Sequence, residues 1–228
     1  MAEYLAPLFG TVVAVAGLTA YVRLQPGPRA DFVVRALAVL VLAGEVAWWI
    51  YAALRGHWSA AADLPFHLSD MTPLVGFAAL WWRKRILVEV TYFWALAAGL
   101  PALLTPAIGD HFPNFLWWQY YAAHSGVVVV AAVLVVGLGA YPRSGAVFRV
   151  LAITLAYTVF VAGVDVVTGG NYMFLRQRPV APTPLDLLGP WPWYLAGAAI
   201  VAVVLFVILD VPFMVARGMI VDRHEPRS

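Results

Sequence analysis

Stretches of about 20 mostly apolar residues, each long enough to cross a bilayer, recur at 3–22, 32–54, 86–105, 115–137, 149–168 and 192–216, with a shorter one at 67–82. That succession points to an all-α, polytopic bundle of seven transmembrane helices, because a helix satisfies its own backbone groups where lipid offers no partner. The 228 residues are 63% hydrophobic and 11% charged. Seven spans and their turns use up that length, so residues 1–228 read as a single transmembrane domain. The span at 67–82 has to stand nearly perpendicular, or thin the bilayer locally, to cross at all.

Basic residues set the orientation. Arg23, Arg29, Arg35, Arg83, Lys84, Arg85, Arg143, Arg149, Arg217, Arg223 and Arg227 fall at alternate span ends and in the tail, whereas Arg55, Arg176 and Arg178 fall at the opposite ends. This asymmetry places the N-terminus outside and the C-terminus in the cytoplasm. Nothing basic precedes the first apolar run, so it reads as a retained helix and not a cleaved signal peptide. A net charge of +2 is too small to suggest a nucleic-acid partner, and the expected partner is membrane lipid. The only lysine, Lys84, lies in a turn, which excludes a retinal Schiff base. No cysteine is present, which excludes thiolate metal sites and a cysteine nucleophile. No repeat of one half of the chain in the other marks an inverted-repeat transporter.

With that topology the intramembrane polar residues gather in the outer half. Glu45 lies in the outer half of the second span, and His67, Ser69 and Asp70 lie at the mouth of the third. Gln119 and Tyr120 lie in the first turns of the fifth span, with His124 about 13 Å below its start. Asp165 ends the sixth span, and Asn171 follows in an outer loop with Arg176 and Arg178. Ionisable groups cost at least about 2.5 kcal/mol each inside a bilayer and normally face a cavity or one another. The inner half is nearly featureless by comparison. The pattern implies a polar cavity opening outward, although Ser69 and Asp70 are also preferred helix caps.

Five motifs occur in order: "LPFHLSDM", "VEVTYFWALAAGLPALLTP", "FPNFLWWQYYAAHSG", "GGNYMFLRQRP" and "LDLLGPWPWY". Together they resemble the YwaF type of bacterial integral membrane protein, from the second helix to the seventh. That type is similar to eukaryotic transmembrane protein 164, associated with acyl transfer among ether phospholipids through a cysteine and a histidine. More distantly, it is similar to the androgen-induced lipid hydrolases, which use a threonine and a histidine. The resemblance places His124 at the family histidine. It places Ser69 where many YwaF-type sequences read "HLC", so this chain departs from them in the nucleophile itself.

Two main readings share these residues. In the first, a lipid acyltransferase or hydrolase, Ser69 attacks an ester carbonyl, His124 takes its proton, and Asp70, Asp165 or Glu45 orients the imidazole. Arg176 and Arg178 then hold a lipid phosphate. In the second, Glu45, His67, His124 and Asp165 form a proton- or cation-linked transport site; a ligand-binding sensor uses the same cavity without catalysis. No cofactor is implied, and no compact ligand spacing marks a metal site. Upright spans would leave Ser69 two to three turns nearer the surface than His124, against the enzyme. A polar path continuing below His124 to Arg83 or Arg143 would mark transport.

Overall fold

The computed structural model describes residues 2–106, 108–179 and 183–222; Arg223 and Arg227 lie outside them. Seven helices are present: α1 (Ala2–Leu24), α2 (Pro28–Leu54), α3 (Leu68–Trp82), α4 (Arg85–Leu104), α5 (Phe115–Gly137), α6 (Ala146–Thr168) and α7 (Trp193–Asp222). All but α3 are long and apolar enough to span a membrane. No strand occurs among the described residues.

The central pair is α4 and α5. Of the apolar stretch in each, 56% is buried, against 11% in α7, so these two helices are enclosed by the rest of the bundle. The core joins Val34 and Ala38 of α2, Leu80 of α3, Phe93 of α4, Val130 of α5 and Val150 of α6. Phe9, Leu40, Phe148, Val167 and Ile208 point outward, the surface expected where the solvent is hydrocarbon. Small residues set the closest approaches: a Cβ on Gly76 of α3 would stand 3.3 Å from Val130 of α5.

Both central helices contain a π turn, at Ala95–Gly99 in α4 and at Val133–Gly137 in α5. One extra residue in the turn shifts the face that each helix presents beyond it. In α4 this occurs beside the cavity described below.

The apolar run at 67–82 forms the short helix α3. At 15 residues it is about 22 Å long, shorter than the roughly 30 Å hydrocarbon core, and it is entered through the non-helical segment 56–67. Such backbone is tolerated at membrane depth only where protein satisfies it. The Tyr172 hydroxyl, from the α6–α7 connection, accepts from Leu64 N–H at 2.9 Å and donates to the Ala60 carbonyl at 2.8 Å. Tyr157 of α6 donates to the Phe66 carbonyl at 3.0 Å. Asp63 accepts from Ser59 N–H at 2.8 Å and pairs with Arg55. Burial pushes the Tyr172 pKa up from its ordinary value, which keeps the hydroxyl neutral in this bridging role. Tyr172→Phe is therefore expected to cost about 1–3 kcal/mol by stranding two backbone groups. Thermal unfolding in detergent measures it, and an unchanged midpoint would mean that the entry segment is held elsewhere.

Candidate functional site

A cavity of about 430 Å³ lies where α3, α4 and α5 meet beside Met173, Phe174 and Leu185 of the α6–α7 connection, and His67, Ser69 and His124 all line it. Its remaining wall is apolar or small, including Thr72, Gly99, Val127, Met173 and Phe174. The depth offset expected between Ser69 and His124 does not keep them apart: His124 lies nine residues into α5, about 13 Å down that helix, and still shares one cavity with Ser69 in the first turn of α3.

The two imidazoles are held in opposite tautomers. His124 Nδ1 lies 2.7 Å from the Tyr120 carbonyl one turn back, an oxygen that can only accept, so Nδ1 carries the proton and neutral Nε2 keeps its lone pair. The Tyr120 ring lies against the imidazole at 4.2 Å, and its hydroxyl is tied to the Ala102 carbonyl at 2.8 Å. His67 has the reverse arrangement: Met173 N–H donates to its Nδ1 at 3.2 Å, so in the neutral ring Nε2 is the donor. One cavity thus has a proton acceptor on α5 and a proton donor at the start of α3.

Ser69 donates to Asp70 Oδ1 at 3.3 Å, and Asp70 Oδ2 accepts from His67 N–H at 3.0 Å. Asp70 is therefore the capping carboxylate of α3. No hydrogen bond links Ser69 to His124, and it is the Tyr120 carbonyl, not Asp70, that fixes the His124 ring. Leu68 and Ser69 open α3, so their N–H groups have no carbonyl one turn back within the helix. They are free beside the Ser69 hydroxyl.

The other polar residues singled out in the sequence do not line this cavity. Glu45 is buried on α2 with Oε1 unpartnered. Gln119 is half-buried one turn from the start of α5. Asp165 accepts from Tyr172 N–H at 2.7 Å and anchors the 171–175 turn. Asn171 braces the same turn, accepting from Arg176 N–H at 2.9 Å and donating to the Gln177 carbonyl at 2.8 Å. Arg176 reaches the Gly170 carbonyl at 3.2 Å, and Arg178 pairs with Asp186 at 3.2 Å. Both arginines brace the connection over the cavity. Among the described residues no three His, Asp or Glu side chains converge as a metal site. The apolar wall was missed in the sequence because Gly99, Met173 and Phe174 look like ordinary membrane and loop residues until the fold assembles them.

A family model matches residues 2–210, nearly the whole chain. The chain belongs to the TMEM164 family. No curated protein and no solved structure matches it.

This TMEM164-family chain also has a polar network at the end of the bundle opposite the cavity, where the sequence looked featureless. Glu89, fully buried on α4, accepts from Arg143 Nε at 2.9 Å and from Arg149 Nε and Nη2 at 3.0 and 2.9 Å. Arg217 pairs with Asp210 at 3.0 Å and donates to the Pro142 carbonyl at 3.0 Å. Three of the arginines counted for topology therefore also tie α4, α6 and α7 to the 138–145 connection. The available signal was Glu89 itself, a carboxylate in an apolar run with basic residues at the same end of neighbouring spans.

Proposed function

We propose that this TMEM164-family membrane protein acts on lipid esters, as an acyltransferase or hydrolase whose site is the His67–Ser69–His124 cavity. The observation that carries this reading is the convergence of a hydroxyl nucleophile with an imidazole whose Nε2 is left free as a base, inside an apolar-walled cavity. For the reaction, the Ser69 hydroxyl leaves Asp70 Oδ1, to which it donates at 3.3 Å, and turns toward the cavity that Ser69 lines. Ser69 Oγ then attacks the ester carbonyl as its proton passes to His124 Nε2. The developing oxyanion meets the free N–H groups of Leu68 and Ser69 at the start of α3. When the carbonyl re-forms, the C–O bond to the leaving alcohol breaks and that oxygen takes the proton back from His124. The acyl-serine is then cleaved by water or by a second lipid hydroxyl, with His124 again the base.

His67 Nε2–H is a second donor on the cavity wall, suited to hydrogen-bond the lipid ester. The basic-residue asymmetry supports an opening of this cavity toward the outer leaflet, and the resemblance to the YwaF type supports a bacterial cell membrane. Transport is less well supported, because below His124 the wall of α5 continues as buried Val127, Val130 and Leu134.

A fluorophosphonate probe tests the nucleophile in lipid-reconstituted protein. Wild type is expected to label at Ser69, with labelling abolished in Ser69→Ala. Absence of labelling in folded wild type would reduce Ser69 to a first-turn residue of α3 and overturn the enzymatic reading.

A further inference from the structure

A second cavity of about 420 Å³ lies against the first, and Leu68, Ala98, Leu185 and Ala198 line both. The π turn of α4 builds the partition. Gly99 faces the His124 cavity, Ala97 faces the second, and Ala98 faces both. Beyond this shared wall the second cavity extends between α4 and α7 past Trp94, Ala202, Leu205 and Phe206.

Its chemistry differs from that of its neighbour. Among the described residues the only side-chain hydroxyl on its wall, Thr154, donates to the Val150 carbonyl at 2.8 Å and accepts from Trp94 Nε1 at 2.8 Å. The indole and the hydroxyl thus satisfy each other, and the described side chains of the wall offer a ligand mainly hydrocarbon. The volume is in the range of small-ligand sites, which combine apolar walls with a few convergent polar groups. Here those groups lie only in the adjoining cavity. An occupant of the pair therefore has a polar group at one end and an apolar chain at the other.

We propose that the second cavity binds an acyl chain of the phospholipid whose ester is presented to Ser69, and that Ala202 and Ala98 set the chain length accepted. This rests on the lipid-ester reading of the adjoining site. Small side chains at these two positions leave room for the chain on either side of the shared wall, and a bulky one at Ala202 shortens the space in the second cavity.

The test compares two fluorophosphonates, one ethyl and one dodecyl, on protein in nanodiscs. Ala202→Trp is expected to lower the ratio of dodecyl to ethyl labelling rates by about tenfold or more, since each methylene denied apolar burial is worth about fourfold. Val203→Trp, on the exposed face of the same helix, is expected to leave the ratio at the wild-type value. An unchanged ratio in Ala202→Trp would overturn the proposal. A second measurement does not depend on the serine chemistry: a phosphatidylcholine bearing a diazirine in its acyl chain is photolysed in Ser69→Ala protein and the adducts are mapped by mass spectrometry. Adducts on Trp94, Leu205 or Phe206 support the chain site even if neither fluorophosphonate labels wild type, an outcome that would refute the nucleophile alone. Adducts confined to outward residues such as Ile208 and Val211 refute the chain site.

Discussion

Alanine in place of His124 is expected to slow acylation of Ser69, read as fluorophosphonate labelling or phospholipid turnover, by about 10²–10⁴-fold, the usual contribution of a positioned general base. The magnitude follows from the weakness of a serine hydroxyl as a nucleophile. A thiol is partly ionised near neutrality, whereas a hydroxyl needs its proton removed as the bond forms. The Tyr120 carbonyl at 2.7 Å leaves His124 Nε2 as the only imidazole nitrogen on the cavity with a free lone pair, because His67 uses its Nδ1 lone pair on Met173. Added imidazole is expected to restore part of the rate in His124→Ala, a response that a purely structural role would not produce. Wild-type rates in the folded variant would remove His124 from the chemistry.

The second large effect concerns stability at the opposite end of the bundle. Replacing Arg143 and Arg149 together strands the Glu89 carboxylate, which is 1% exposed, and an uncompensated buried charge of this kind costs about 3–5 kcal/mol. Glu89→Leu, which removes the buried charge itself, is expected to be the milder change, because both guanidinium groups are partly exposed and can turn to water. Thermal unfolding in detergent gives the order directly. The reverse order would mean that Glu89 serves as the anchor of the 138–145 connection more than as a buried charge in need of partners.

The helices were legible because membrane spans are a problem of length and hydropathy. The runs at 115–137 and 149–168 match α5 and α6 closely, and the chain needs no tertiary contact to bury their backbone groups. His124 was legible for a related reason, since an imidazole in an apolar run requires a partner or a cavity. Glu89 satisfies the same criterion and was overlooked because its partners, Arg143 and Arg149, lie more than 50 residues away and were read only as topology signals. Asp165, Asn171, Arg176 and Arg178 look equally functional in the sequence, yet the fold uses them to brace the connection above the cavity. A polar residue at the membrane boundary satisfies backbone as readily as it binds substrate, and spacing along the chain does not distinguish the two.

What the sequence determined by itself was the class of fold, the approximate span limits, and the set of residues able to carry proton chemistry in a chain without cysteine. These follow from local composition, because lipid imposes the same requirement on every segment. What only the tertiary structure decided was which polar residues meet. Ser69 in the first turn of α3 and His124 in α5 meet on one cavity, a backbone carbonyl and not a carboxylate sets the histidine tautomer, and the π turn of α4 lies between two adjoining cavities. Each of these depends on contacts between residues distant in the chain, where a shift of one helical turn, about 5.4 Å, would separate the groups completely.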